Sequence, residues 1–511
     1  MALQRITHFD HSGGLNTKVA DTALKPNESP SLKNVHLGST GAVQRRTGAS
    51  EYSSAIVAST PTKGMWRLVT STGGDDKIAL SGGGFYFEGL PGVWGSALFS
   101  GWDANAVTRG LAYRDHLWFS NGVDSPLLWS KDTGFERYLE HESILNPPTD
   151  WTTGCYPTGF AVTYPYRNEK LCAWGCKQYP SRLYFSDDED PFQFDFVSGT
   201  ATYFDALRDN SEPVTLVAPL YDFTLVFKET QCAVYSWGVH GYQLVQTLGA
   251  GCPAPLSGVQ VGKDYYFWSD SGPARLSGIQ EYGDINPVKA ISLPIESELR
   301  SVRHGSSGNI QVMHDIDKNV IVWFYPKGSS SVNNAALAYH YDTGAWVPWD
   351  GLNASYVLSY QGDSSSLQHF LCQDDGSILK LDGTYTDAGT TYTSEFVTAW
   401  EYAGDMATRF RVPTLWFSCN QSYDVDVSIQ WDSGTWLSLG NLEDLSGETT
   451  SRWDTATFVW DVDYWDLTMT ELVKVLPTGT GRRFRLKFSS DSSDSFDLTG
   501  WEALASQRGQ R

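Results

Sequence analysis

An all-β fold, a β-propeller of about six or seven blades followed by an antiparallel β-sandwich, is what this sequence predicts. Three observations carry that expectation. Short apolar runs separated by turn residues recur along most of the chain, as short antiparallel strands require. Composition favours strands and turns over helices, with 48 Gly, 20 Trp, 26 Tyr and 24 Phe and few long Ala/Leu/Glu/Lys stretches. Towards the C-terminus the pattern changes to strict period-two alternation, the mark of a half-buried strand with one wet face.

Taken in order, residues 1–50 read as an extended N-terminal arm. Adjacent Gly13 and Gly14 permit a tight backbone path with positive φ, and the Arg45-Arg46 pair is placed to bridge to acidic groups of the propeller or of a neighbour. These four residues are the candidate arm and assembly contacts. Residues 51–385 read as the propeller. Its units are placed at Gly64–Glu88, Gly110–Leu139, Phe160–Asp187, Leu216–Trp237, Val259–Ser277, Ile310–Trp349 and Tyr356–Asp382. A spacing of roughly 40–50 residues is the period of one blade per repeat. The unit Leu216–Trp237 shows the cadence best: Val214 to Leu220 and Phe223 to Phe227 are split by the turn pair Tyr221-Asp222, and a third run closes on Trp237. Radial packing of such units protects strand edges that an open sheet would expose. Only short segments such as Ile295–Val302 look helical. Residues 386–511 read as the sandwich, reached through the Asp/Gly/Thr-rich linker Asp382–Thr391. There Tyr423, Val425, Val427, Ile429 and Trp431 alternate with Asp424, Asp426, Ser428 and Gln430, and Arg483–Phe488 alternates likewise.

The chain carries 59 acidic and 37 basic residues, a net charge of −22. That balance argues against the usual basic nucleic-acid-binding surface. It fits plain solubility, or an acidic surface past which a polyanion moves without sticking. Seven cysteines, an odd number spread widely, do not make a secreted disulfide framework, and Cys172-Ala-Trp-Gly-Cys176 lacks a second ligand pair for zinc. Buried free thiols are the expectation. No signal-peptide core and no membrane-spanning apolar run is seen, so assembly in the cytoplasm is expected.

The search for chemistry returns little. No HExxH, GxSxG, GxxxxGK[ST] or GxGxxG motif stands in a supporting context. The acidic runs Ser186–Asp190 and Asp491–Asp494 lack the spacing of a calcium loop. Asp132-Thr-Gly-Phe135, Asp342-Thr-Gly-Ala-Trp346 and Asp432-Ser-Gly-Thr-Trp436 resemble the Asp-box turns of sialidase-type propellers, yet an Asp followed by Gly and an aromatic is good hairpin chemistry anywhere. No catalytic residue, cofactor or metal ligand is assigned, and a non-enzymatic protein is expected.

Three N-terminal segments carry a resemblance: Phe9-Asp-His-Ser-Gly-Gly-Leu-Asn-Thr17, Leu24-Lys-Pro-Asn-Glu-Ser-Pro-Ser-Leu-Lys-Asn-Val35 and Gly41-Ala-Val-Gln-Arg-Arg-Thr-Gly48. They resemble the opening of a group of phage virion proteins in which "GG-N", "ES-x-x-x-x-NV" and "RRxG" segments lead into a propeller. Ser181–Trp237 is similar to the mid-chain blades of that group, and Tyr392–Arg411 to the start of its C-terminal β-domain. The functional class so implied is the tail nozzle, or tail tubular protein B, of short-tailed phages, whose propellers ring the DNA exit channel below portal and adaptor. The resemblance implies a closed homo-oligomeric ring, a hexamer favoured, that contacts adaptor or portal and tail fibre or spike proteins. It also implies a place in the virion tail and transient, non-specific passage of duplex DNA. On this reading an acidic lumen repels phosphates, whereas a basic one would bind them by counterion release. The candidate channel-lining residues are Asp187, Asp188, Glu189, Asp190, Asp424 and Asp426. The alternative is a glycan-cleaving or glycan-binding propeller, either a sialidase-like enzyme or a receptor-binding module.

Overall fold

The computed structural model describes residues 3–140, 147–164, 169–188, 190–238, 241–277, 280–281, 284–285, 289–362, 367–403, 407–419, 424–442 and 471–507. Seven antiparallel four-strand units follow one another along the chain. Blade 1 runs from Thr62–Val69 to Val93–Ser100, blade 2 from Arg109–Tyr113 to Gly134–Arg137, and blade 3 from Gly159–Thr163 to Thr202–Asp205. Blade 4 spans Leu216–Leu220 to Gly241–Leu248, blade 5 Val259–Val261 to Lys289–Ala290, and blade 6 Gln311–Asp315 to Ala345–Trp349. Blade 7 is built from Tyr356–Gln361, Leu367–Cys372 and Ile378–Leu381, and its fourth strand is Ala49–Ser53 from near the N-terminus.

The first strand of each blade is innermost. These strands lie side by side between blades 1 and 2, 2 and 3, 3 and 4, 6 and 7, and finally 7 and 1, which closes the ring. Aromatic contacts tie blade to blade: Trp66 to Phe119 at 4.8 Å, Trp118 to Phe160 at 5.8 Å, Phe185 to Tyr242 at 4.4 Å, Phe227 to Phe267 at 4.9 Å and Trp268 to Trp323 at 6.5 Å. Offset and edge-on aromatic pairs of this spacing add to what area burial provides. A second strand stands between two neighbouring blades and is covered on both faces. Val320–Tyr325 is accordingly an unbroken apolar run, buried at every position.

Beyond blade 7 the chain forms two sheets face to face. One contains Phe410–Cys419, Glu471–Val475 and Asp497–Gln507; the other contains Ser394–Val397, Phe484–Ser490, Asp426–Trp431 and Trp436–Asn441. Phe417 meets Phe488 at 5.5 Å and Trp501 meets Phe484 at 5.9 Å across the gap. Val425, Val427, Ile429 and Trp431 are buried while Asp426 is exposed, as the alternation predicts.

The N-terminal segment, expected as an extended arm crossing the propeller or a neighbour, lies on blade 6 and in addition supplies strands to the sandwich. Leu3–His8 pairs with Asp497–Gln507, Val43–Arg45 pairs with the start of that same strand, and Ser31–Lys33 pairs with Ser394–Val397. Both sandwich sheets are therefore completed by N-terminal strands. A strand's backbone groups must be paired, and these edges find partners several hundred residues away in sequence. The expected linker also differs: Thr386–Asp387 and Thr390–Thr391 form a hairpin that extends the sheet of blade 7. One apolar cluster runs from Trp268 and Trp323 through Leu15, Val35 and Leu37 to Phe410, Phe484 and Trp501, so propeller and sandwich share a core. Among the described residues no helix is long and apolar enough to cross a membrane.

Candidate functional site

The residues that carry the N-terminal resemblance meet at the seam between propeller and sandwich. Arg46 is fully buried, and each of its five N–H donors has an acceptor. Nε donates to Asn34 Oδ1 at 3.1 Å, Nη1 to the Thr47 carbonyl at 3.1 Å and to Asp387 Oδ1 at 3.0 Å, and Nη2 to the Asp350 carbonyl at 2.9 Å and to Asp387 Oδ2. The planar fork of arginine suits such bidentate use of a carboxylate. Its guanidinium also lies 3.7 Å from the Tyr392 ring centroid and 5.8 Å from that of Trp349. Arg45 donates to Ser490 Oγ at 2.9 Å and to the Tyr392 carbonyl at 2.6 Å. The Tyr392 hydroxyl donates back to the Arg46 carbonyl, and burial raises its pKa against the pull of both guanidinium groups, so it stays neutral.

Asn34 is the counterpart of this arginine. Its φ of 51° is the left-handed conformation that Asn tolerates better than most residues. In that pose Nδ2 donates to the Thr393 carbonyl at 2.9 Å, and Oδ1 accepts the Asp350 N–H at 2.8 Å besides Arg46. Gly14, at φ 69°, lies flat on the outer strand of blade 6, where an added Cβ would stand 2.7 Å from the Trp346 backbone nitrogen. At Gly48 the same atom would come within 2.2 Å of the Thr386 carbonyl oxygen. Of the candidate arm and assembly contacts, Gly14, Arg45 and Arg46 are buried and Gly13 is half-buried, and the expected bridge from the arginines to an acidic group is the one Arg46 makes to Asp387. Sequence reasoning missed Asn34, Asp387 and Tyr392 as their partners; the isolated Asn ahead of Val35 was the one local signal.

The acidic candidates divide. The Asp187 carboxylate is buried and accepts the N–H groups of Asp195 at 3.0 Å, Ala201 at 2.9 Å and Thr200. Asp188 pairs with the buried Lys170 at 2.8 Å, and Asp190 accepts the Phe192 N–H at 3.0 Å. This run is the scaffold of the long connection between the third and fourth strands of blade 3, so Asp187 offers no charge to a channel. Carboxylates were needed there because the loop's N–H groups have no strand partner. Glu189 lies outside the described residues. Asp424 and Asp426 both accept from Asn441 Nδ2, at 2.7 and 3.3 Å, and Asp426 keeps its exposure on the sandwich.

The Asp-box-like turns are hairpin loops. Gly134 and Gly344, at φ 78° and 81°, close the third-to-fourth strand turns of blades 2 and 6, and Asp342 accepts the Thr343 N–H at 2.9 Å. All seven cysteines are buried and none forms a disulfide. Among the described residues no group of three or more His, Cys, Asp or Glu side chains is placed to hold a metal ion.

Two outer strands stand out on the surface. Val93–Ser100 of blade 1 and Gly241–Leu248 of blade 4 carry no charged residue. Leu90, Val93 and Leu98 are 68, 57 and 54 % exposed, and Leu244 53 %. Blade 6 differs: its outer strand is buried beneath the N-terminal segment.

No known protein-family profile matches the chain, and no curated protein does. Among solved structures, the AfRom2 CNH domain is similar at 10 % identity and a TM-score of 0.38, covering 64 % of this chain and 98 % of its own. BBS1N, solved in complex with ARL6DN, is similar at 9 % identity and a TM-score of 0.38, covering 65 % and 93 %. The extracellular domain of the hybrid two-component system BT4673 from B. thetaiotaomicron is similar at 13 % identity and a TM-score of 0.41, covering 76 % of this chain and 44 % of its own. The sheet topology itself defines the fold.

Proposed function

We propose that this chain is a non-catalytic structural subunit of a short-tailed phage tail, of the nozzle or tail tubular class, that assembles into a closed ring around the DNA exit path. One observation carries the reading. The residues by which the N-terminus resembles those virion proteins, Gly14, Asn34, Arg46 and Gly48, are the ones that fix the sandwich to the propeller. The resembling segments are therefore fold-determining rather than incidental, and they support the same two-part unit here.

Ring formation needs two different faces that meet head to tail. The uncharged outer strands of blades 1 and 4 belong to different blades and leave their outer edges open to a neighbour's backbone. The acidic balance then keeps duplex DNA from adhering as it passes. Neighbours would be the adaptor or portal on one side and fibre or spike proteins on the other, with six copies favoured.

The test is the solution mass of the purified chain with and without its adaptor, together with imaging of the particles. A closed ring whose interfaces each bury more than about 1,000 Å² is expected, and Leu98→Lys is expected to prevent it while leaving the monomer folded. A chain that stays monomeric with its adaptor, and that binds or cleaves a glycan from a broad panel, would replace this reading by the glycan-directed one.

A further inference from the structure

The chain's second adjacent arginine pair, Arg482-Arg483, stands at the start of a sandwich strand. In that strand Phe484, Leu486 and Phe488 are buried, so Arg485 and Lys487 take the outer face and Arg483 continues their row. Period two spaces these cations about 7 Å apart. Two indoles join them into one patch. The Arg483 guanidinium lies 4.2 Å from the Trp400 ring centroid, and the Arg485 guanidinium lies 4.4 Å from the same ring and 5.5 Å from that of Trp436. Trp436 is opposed to Gln430 on the neighbouring strand, and Gln430 to Arg485 on the next, so the three side chains leave the sheet on one side. Trp400, Trp436, Arg483 and Arg485 are half-buried, each with part of its surface open.

The patch is held in place from below. Arg485 Nε donates to Gln430 Oε1 at 2.7 Å, Gln430 Nε2 donates to the Gly434 carbonyl at 2.6 Å, and Arg485 pairs with Asp21 at 3.0 Å. Lys487 pairs with Glu395. Arg483 differs from both: among the described residues no carboxylate pairs with its side chain, in a chain that has 59 acidic residues. A guanidinium laid on an indole keeps its N–H donors on its rim, and that rim grips a carboxylate with two parallel bonds.

The surroundings narrow the choice of anion. Ser428, Ser438 and Gln430 make the rest of this face short and polar, and Leu437 and Leu476 are the exposed large apolar side chains among the described residues of 386–511. A protein interface wants a broader apolar centre. A long nucleic acid would meet a net charge of −22, with Asp21 and Glu395 bordering the patch. A sugar is served by what is present: its C–H face packs on the electron-rich face of an indole, and its hydroxyls bond to amide and serine groups.

We propose that Trp400, Trp436, Arg483 and Arg485 form a binding site for an acidic carbohydrate, a short chain of carboxylate-bearing sugars, on the outer face of the sandwich. Arg483 takes the carboxylate, Trp436 packs on the sugar ring, and Trp400 positions both guanidinium groups. The outer strands of blades 1 and 4 take no part, so the site stands whether or not the chain forms a ring.

The experiment uses the full chain. Calorimetric titration with tetragalacturonate and, separately, with a sialic acid tetramer is expected to give saturable binding of at least one, with tryptophan fluorescence changing over the same range. Maltotetraose, which has no carboxylate, is expected to give none. Arg483→Gln is expected to weaken binding at least about tenfold through loss of a charged pair of hydrogen bonds. Arg483→Lys should restore little of it, since an ammonium lacks the fork. Trp436→Ala is expected to cost a similar factor, and the sugar-free thermal midpoint of Arg483→Gln to stay close to that of the wild type. The proposal is overturned if neither acidic tetramer binds saturably, if maltotetraose binds as tightly, or if full affinity survives in Arg483→Gln or Trp436→Ala. A tetraglutamate peptide or a single-stranded oligonucleotide that binds through Arg483 more tightly than either sugar overturns it too, and reassigns the patch to that class of anion.

Discussion

A single side chain, Arg46, touches four parts of the fold: the strand end at Thr47, the turn at Asn34, the end of blade 6 at Asp350 and the blade 7 extension at Asp387. Removing one partner of a buried ion pair leaves the other uncompensated, which ordinarily costs about 3–5 kcal/mol. Arg46→Ala is therefore expected to lower the guanidinium midpoint strongly, and Arg46→Lys to rescue little, since an ammonium has three donors and no plane to lay on Tyr392. A loss below about 1 kcal/mol, the size of a surface pair, would show the seam to be held by apolar packing alone. Histidines supply the second expectation at this scale. Burial holds His11 and His36 down at about 4 and His340 at about 3, and the rings of the last two meet, tilted, at 4.7 Å. Lys318 opposes protonation of His36 further, while Asp315 and Asp342 favour it. A depressed histidine contributes stability that is present in full above its unfolded pKa near 6.5. That stability is lost as the pH falls from there towards about 4, at about 1.4 kcal/mol per unit for each group. Unfolding free energy measured by urea is thus expected to be flat in this term from pH 8 to 7 and to fall steeply between 6.5 and 4.5. In His36→Gln the slope should be shallower; an unchanged slope would assign the acid sensitivity elsewhere.

At the scale of elements, strands that share one wet face announced themselves and strands covered on both faces did so only as apolar runs. Asp426–Trp431 and Phe484–Ser490 show a buried position at every second residue, so their register could be read directly. Val320–Tyr325 and Phe223–Phe227 have neighbours on both sides, and their sequences say strand without saying which face meets which blade. The short N-terminal strands were illegible for a different reason. Ser31–Lys33, Val35–Leu37 and Val43–Arg45 have three residues each, too few for any period to emerge. Their conformation is imposed by partners far along the chain. The seam was legible as glycines and paired arginines but not as a seam, because Asp387 and Tyr392 lie more than 300 residues away from Arg46 in sequence. Gly14→Ala tests how tightly the N-terminal segment is laid down. The residue has φ 69° and its new methyl would meet the Trp346 nitrogen at 2.7 Å, so a loss of about 1–3 kcal/mol is expected in thermal or denaturant unfolding. An unaltered midpoint would mean that the segment lifts off blade 6 without cost.

For the molecule as a whole, the charge balance and the proposed ring meet in one measurement. Asp426 is exposed on the sandwich, and a ring repeats its charge in every subunit. In virions carrying Asp426→Lys, assembly is expected to be normal while DNA ejection slows. The defect should ease at higher salt, where the new attraction to phosphate is screened over about 8–10 Å. Ejection at the wild-type rate at low salt would place Asp426 away from the exit path.

The way this fold closes also sets a timetable for its birth. Ala49–Ser53 leaves the ribosome early but finds its partners only in Ile378–Leu381 and Thr386–Asp387, and Leu3–His8 waits for Asp497–Gln507. At roughly 5–20 residues per second, translation separates those events by tens of seconds. Throughout that interval the nascent chain carries bare strand edges, and blades 1 to 6 have all their strands before either end can be sealed. A chain stalled short of residue 378 should therefore keep Leu3–His8 and Ala49–Ser53 open to protease while blades 2 to 5 resist. Cells that make this protein in quantity must shelter those edges until the last strand arrives.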